Sequence, residues 1–329
     1  MRCYMNNRDE YISFEYLKSI KNDLETSIEV NSKWVSENEN NRDECINVLK
    51  ENEESHKEIS RLDEIILREP IPSELPPQKS LIKISGILDD VNIVKCIGYF
   101  QEQEYNSEAF KNHEMNEQVG ALLLSIIGNV AGSAVTSQSK VRMKDYCDYI
   151  SGKINGREFR GWLGKTNLHV GDYVEMAAVE ENNEFVVYAI AKPENRTISI
   201  IPRCSQGLDA YIKNTRRYIR IFNAIPFLFM SLGPLFYGGS LKILLFLVLL
   251  YALLDPVAYA ISSRLERKKP KKNYVLAGLI FEALGFKNPT EVDLIKITKK
   301  KLKSKDMSVK KNDPTWPDRE CVMNYYYYY

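Results

Sequence analysis

Residues 244–256 read LLFLVLLYALLDP, eleven apolar residues followed by an acid and a proline. No other stretch limits the fold so strongly, because a helix of this composition must cover every face. The run extends over Leu241–Ser262, and a second run, Ile221–Gly238 (IFNAIPFLFMSLGPLFYG), precedes it. A bilayer core takes about 20 apolar residues in a helix, with ~17 the lower limit. Leu241–Ser262 meets that length. Ile221–Gly238 is marginal and contains Pro226 and Pro234, which helices tolerate better in lipid than in water. Gly238 and Gly239, followed by Ser240, supply a tight turn between the runs. The expectation is a transmembrane helical hairpin over 221–262.

The flanks set its orientation. Arg216, Arg217 and Arg220 precede the pair, within a basic helix or linker at 208–220; Arg264, Arg267, Lys268 and Lys269 follow it. Basic residues stay on the cytoplasmic side. This predicts an integral protein of a bacterial inner membrane with both termini cytoplasmic. Lys242, near the tip, can snorkel to the interface. Asp255 is the one acid in the apolar runs, and at depth it would cost about 2.5–3.5 kcal/mol. It reads either as a pathway group or as the partner of Arg264 or another basic flank.

The rest of the chain divides around this hairpin. Residues 1–68 form a polar helical arm, a hairpin or weak coiled coil, with apolar residues at helical spacing from Phe14 to Ile66 and interruptions at Lys21 and Asn31. It reads as a solvated helix docked on its own protein or as a partner-binding arm. Four prolines within 69–80 make an extended linker. From Leu81 to Gly207 the pattern is short β-branched runs, with Asn155-Gly156 a strong hairpin signal and Glu181–Glu184 a second turn. This predicts an α+β protein with a small antiparallel OB-like barrel or sandwich. An apolar insert at 119–136 carries Gly128 and Gly132 at the spacing that lets helix backbones approach in lipid. It reads as a segment at or in the bilayer, or as a buried helix.

Charge is uneven. The first 70 residues hold 17 acids and 10 Lys/Arg, whereas Arg203–Lys311 holds 21 Lys/Arg and 7 acids. A basic C-terminal half suggests anionic lipid or nucleic acid as its neighbour. In the basic region 263–311, residues 273–286 make a short apolar helix, too short to span, and eight lysines lie between Lys296 and Lys311. The tail, 312–329, ending YYYYY, reads as low complexity and disordered.

Chemistry is sparse. The six cysteines stand far apart without metal-ligand spacing, and no phosphate loop, HExxH or GxSxG motif occurs. The expectations are therefore no catalytic residue, no metal and no cofactor. Cys204 with His169 is the one nucleophilic pairing to consider. Phe159, Trp162 and Tyr173 could offer a base-stacking platform, but the positive charge lies away from the strands, so nucleic acid is not expected as a partner.

The segment Tyr188–Gly207, YAIAKPENRTISIIPRCSQG, followed by a basic stretch and the apolar hairpin, resembles bacterial proteins catalogued as type VI secretion system effectors. The match covers about Leu81 to Phe286, with Pro202, Arg203, Cys204, Ser205 and Gly207 as its motif. The resemblance implies a non-enzymatic effector or toxin that perturbs a membrane, with the bilayer, further copies of itself, and a secretion-apparatus, adaptor or immunity protein as partners. The alternative is a resident inner-membrane scaffold whose β domain binds a partner.

Overall fold

The structure is a computed structural model, and it describes residues 11–38, 40–71, 73–100, 143–236, 241–304 and 316–329. The insert at 119–136, with Gly128 and Gly132, and the turn at Gly238-Gly239 lie outside the described residues.

The arm is a hairpin of two helices, α1 (Phe14–Glu37) and α2 (Arg42–Ile66). Ser13 caps α1 by accepting from the Tyr16 amide. The two residues that interrupt the apolar pattern are the ones that cross the hairpin. Lys21 Nζ reaches Asp63 at 2.6 Å, and Asn31 Nδ2 donates to Asn52 Oδ1 at 3.0 Å. Polar pairs at such sites fix register at some cost in stability. The arm is stitched to the sheet: Ile12 donates to the Lys95 carbonyl and accepts from the Ile97 amide, while Phe14 is buried. The proline linker is held to the barrel by two aromatic donors. Trp162 Nε1 bonds the Ile71 carbonyl at 2.9 Å and Tyr188 OH the Glu74 carbonyl at 2.8 Å.

The expected small barrel is present and closed. Its strands are β1 (Ile82–Gly98), β2 (Asp145–Ile154), β3 (Arg157–Leu163), β4 (Tyr173–Glu181) and β5 (Glu184–Lys192). β1 is long enough to serve two neighbours. Ile82–Ile87 pairs with β4, and Leu88–Gly98 pairs with β2 after a register shift at Leu88/Asp90 that bends the strand. The parallel pairing of β3 with β5 closes the circuit. Here Gly161 is required, since a Cβ would sit 2.3 Å from the Val187 carbonyl oxygen. Asn155-Gly156 turns β2 into β3 at φ 52° and 75°, and Asn182-Asn183 turns β4 into β5 at φ 46° and 68°. Both are the positive-φ pairs that a type I′ turn needs.

Alternate strand residues fill the interior, among them Leu88, Ile150, Phe159, Met176, Val187 and Ile190. A second core covers the outside of the barrel, where β6 (Thr197–Ile200) extends the sheet. After β6 come the long helices α3 (Leu208–Phe236) and α4 (Leu241–Lys268), then α5 (Lys272–Ala283) and α6 (Leu294–Leu302). α5, the expected short apolar helix, packs Leu276, Ala277, Ile280 and Phe281 into this outer core. A one-turn α7 (Cys321–Asn324) leads to β7 (Tyr326–Tyr328), which pairs antiparallel with β6. For residues 316–329 this corrects the expected disordered tail: β6 pairs with Tyr326–Tyr328, and side chains packed over the strand leave Tyr327 and Tyr328 fully buried.

Candidate functional site

The two apolar runs fold as α3 and α4, packed against each other. The base of the pair is anchored by Asp209, which accepts from Arg267 at 2.7 Å and from Thr290 at 2.6 Å, and by Asn214 donating to Asp293. Among the described residues no helix is long and apolar enough to cross a membrane. The expected transmembrane hairpin, and with it the integral inner-membrane location with two cytoplasmic termini, is therefore corrected. The cations assigned as flanks lie inside the same helices: Arg216, Arg217 and Arg220 belong to α3, and Arg264, Arg267 and Lys268 to α4.

A polar cluster joins the two helices. Asp255, little exposed, accepts from Arg220 at 3.0 Å and lies 4.0 Å from Arg216, whose guanidinium also sits 4.0 Å over the Tyr259 ring. Tyr251 OH donates to the Arg220 carbonyl at 3.3 Å. The acid is thus an interhelical clamp, and its partners come from α3 rather than from Arg264. Arg217, Arg264, Lys268, Lys269 and Lys242 are exposed.

Large apolar side chains are exposed on both helices among the described residues. On α4, Leu245, Phe246, Leu249, Leu250, Leu253, Val257, Ile261 and Leu265 are exposed, and on α3, Tyr218, Ile219, Ile221 and Ile225. An ordinary surface helix turns its apolar stripe inward, whereas these described side chains are open to solvent. Monomers rarely expose more than a few hundred Å² of contiguous apolar surface, and larger patches mark interaction sites.

The motif Pro202–Gly207 forms a turn at the foot of α3. Arg203 is held at φ 67°, a left-handed conformation that is uncommon outside glycine. Its Nε and Nη2 bond Asp145 Oδ2 and Oδ1 at 3.1 and 3.4 Å. Asp145, almost fully buried, also accepts from Tyr325 OH at 2.6 Å and from the Phe100 amide at 3.3 Å. Burial works to lower the Arg203 pKa, but the Asp145 carboxylate outweighs it and the net shift is upward. Burial, then Asp145, pushes the Tyr325 phenol up. Gly207 permits close packing, since a Cβ there would meet the Thr290 carbonyl oxygen at 2.5 Å. Cys204 and Ser205 are buried, and Asn273 ties the turn to α5 through the Arg203 carbonyl. Sequence reasoning missed Asp145 and Tyr325, which are 180 residues apart and carry no shared motif.

Cys204 lies in the buried outer core, whereas His169 is an exposed side chain beside Asp172. A thiol in that position is closed to a dissolved substrate. Three other thiols are held protonated: burial pushes Cys96 up to about 12 and also raises Cys147 and Cys321. Phe159 fills the barrel interior and Trp162 is buried under the linker, so these two rings do not form a surface platform with Tyr173. Among the described residues no group of three His, Cys, Asp or Glu side chains could hold a metal ion.

Comparison with protein-family models, curated proteins and solved structures gives no match. The resemblance to type VI secretion system effectors therefore rests on the quoted residues alone.

Proposed function

We propose that this is a non-enzymatic assembly protein, a β-barrel that joins a second copy of itself through the exposed apolar face of its α3–α4 hairpin. The observation that carries the reading is the exposed apolar face: twelve large apolar side chains lie open on two helices that Arg220 and Asp255 tie together. Between Leu245 and Ile261 the only charged residue is Asp255, which is paired with Arg220. The stripe between them runs about 24 Å at 1.5 Å per residue. A stripe without charge selects no partner by sign, and it matches itself when two copies pack antiparallel about a two-fold axis. That packing also keeps the basic ends, Arg264 to Lys269, at opposite ends of the contact, apart from each other.

Sedimentation equilibrium of the full chain at tens of micromolar tests this. The expected result is a dimer that Leu249→Glu with Leu253→Glu converts to a folded monomer, folding being checked by circular dichroism. A monomeric wild-type chain overturns the proposal, as does a chain that stays monomeric and floats with liposomes through the same two leucines. The effector reading rests on the Tyr188–Gly207 resemblance and on no feature of the fold, so self-assembly stands ahead of it.

A further inference from the structure

Beside the Arg203 turn lies a cleft of about 430 Å³, within the ordinary range for small-molecule sites. Asp145 is the one carboxylate among its lining residues, and its two oxygens are taken up by Arg203, Tyr325 and the Phe100 amide. Lys144 and Lys271 also line the cleft, and neither forms an ion pair with a described carboxylate. Lys271 Nζ instead sits 5.7 Å from the centroid of the Tyr211 ring. The lining of the cleft therefore carries surplus positive charge, which attracts anions.

Two further features set the ligand class. Arg203 has Nε and Nη2 committed to Asp145, so its fork is not open for the bidentate grip that a carboxylate favours; the open cations are lysines, which bind phosphate as point charges. Phe100 and Tyr274 supply aromatic surface to the lining, and Tyr274 is stacked on Tyr211 at 4.0 Å between centroids. The backbone around the network is strained at two non-glycine residues, Arg203 and Tyr325, the latter at φ 48°. Such strain persists only where its surroundings over-determine it, and it gathers at binding sites.

We propose that this cleft binds a phosphorylated small molecule with an aromatic or apolar body. Lys144 and Lys271 hold the phosphate, Phe100 and Tyr274 contact the body, and the Asp145–Arg203–Tyr325 network keeps the rim in place. The proposal does not depend on self-assembly.

Isothermal titration of the full chain with adenosine monophosphate, 4-nitrophenyl phosphate, inorganic phosphate and benzoate tests it. The two organic phosphates are expected to saturate, and at least tenfold more tightly than inorganic phosphate or benzoate. Lys144→Ala and Lys271→Ala should each weaken them at least tenfold, while Lys153→Ala, on the Lys153–Glu158 surface pair, leaves binding unchanged. The Leu249→Glu, Leu253→Glu chain should bind as the wild type does, which separates this outcome from that of the oligomer experiment. No saturable binding of either organic phosphate overturns the proposal. So does equal affinity for benzoate, or binding that survives the double lysine substitution.

Discussion

Replacing Asp145 by asparagine removes a charge from the most connected buried carboxylate of the described fold while almost preserving its shape. Arg203 loses its counter-ion, and one carboxylate oxygen becomes an amide nitrogen that faces a donor, either the Tyr325 hydroxyl or the Arg203 guanidinium. Breaking a buried pair by removing one partner costs about 3–5 kcal/mol. The Arg203 side chain is 26% exposed, so water takes up part of that loss. We therefore assign about 2 kcal/mol to the arginine, below the range for a fully buried pair. The Tyr325 hydrogen bond adds about 1 kcal/mol, the usual net value. The total, about 3 kcal/mol, should lower Tm by roughly 6–12 °C, taking about 2–4 °C per kcal/mol for a domain of this size. Differential scanning fluorimetry reads the shift, and urea unfolding gives the free energy. Tyr325→Phe should cost about 1 kcal/mol alone and add little to Asp145→Asn, because neighbours that share a bond are not additive. An Asp145→Asn chain melting within roughly 2 °C of wild type would refute the view that this carboxylate holds Arg203 and Tyr325 in place.

Three other outcomes are expected. Cys96 and Tyr274 are raised to about 12 by burial, and Tyr188 is raised likewise, so the unfolded chain loses these protons first. Stability should be whole below about pH 9 and fall as pH climbs towards 12, by up to about 1.4 kcal/mol per pH unit for each group within its window; a Tm flat from pH 8 to about 11 would contradict this. Arg220→Ala should loosen the α3–α4 pair by about 1 kcal/mol, seen as faster amide exchange in both helices, with Arg216→Ala adding more than its own share once Arg220 is gone. Gly161→Ala should destabilise by about 1–3 kcal/mol or prevent folding, because the new methyl group meets the Val187 backbone at the strand pair that closes the barrel; an unchanged urea midpoint would argue that the closure is looser.

The barrel was legible because its signals are local. Asn155-Gly156 and Asn182-Asn183 determine backbone sign within two residues, and each hairpin follows from its turn. The helical arm was legible too, and its apparent flaws, Lys21 and Asn31, prove to be cross-hairpin contacts once Asp63 and Asn52 are opposite them. The apolar runs misled because hydropathy was read between the charges. The helices continue through the charges, and Asp255 finds Arg216 and Arg220 on the other helix. The tail misled for a different reason. Repeated tyrosines look like low complexity, yet β6 supplies the hydrogen-bonding edge and the outer core the cover that turn them into a strand. The motif around Arg203 was visible, but the carboxylate and phenol it serves are distant in sequence and lack any repeat or spacing that could announce them.

Ile12 borrows the backbone of Lys95 and Ile97, and three residues beyond Lys95, Gly98 stands opposite Asp145. The arm is thus geared to the strand end that steadies the carboxylate. One continuous strand joins the start of the helical arm to the backbone that faces this carboxylate.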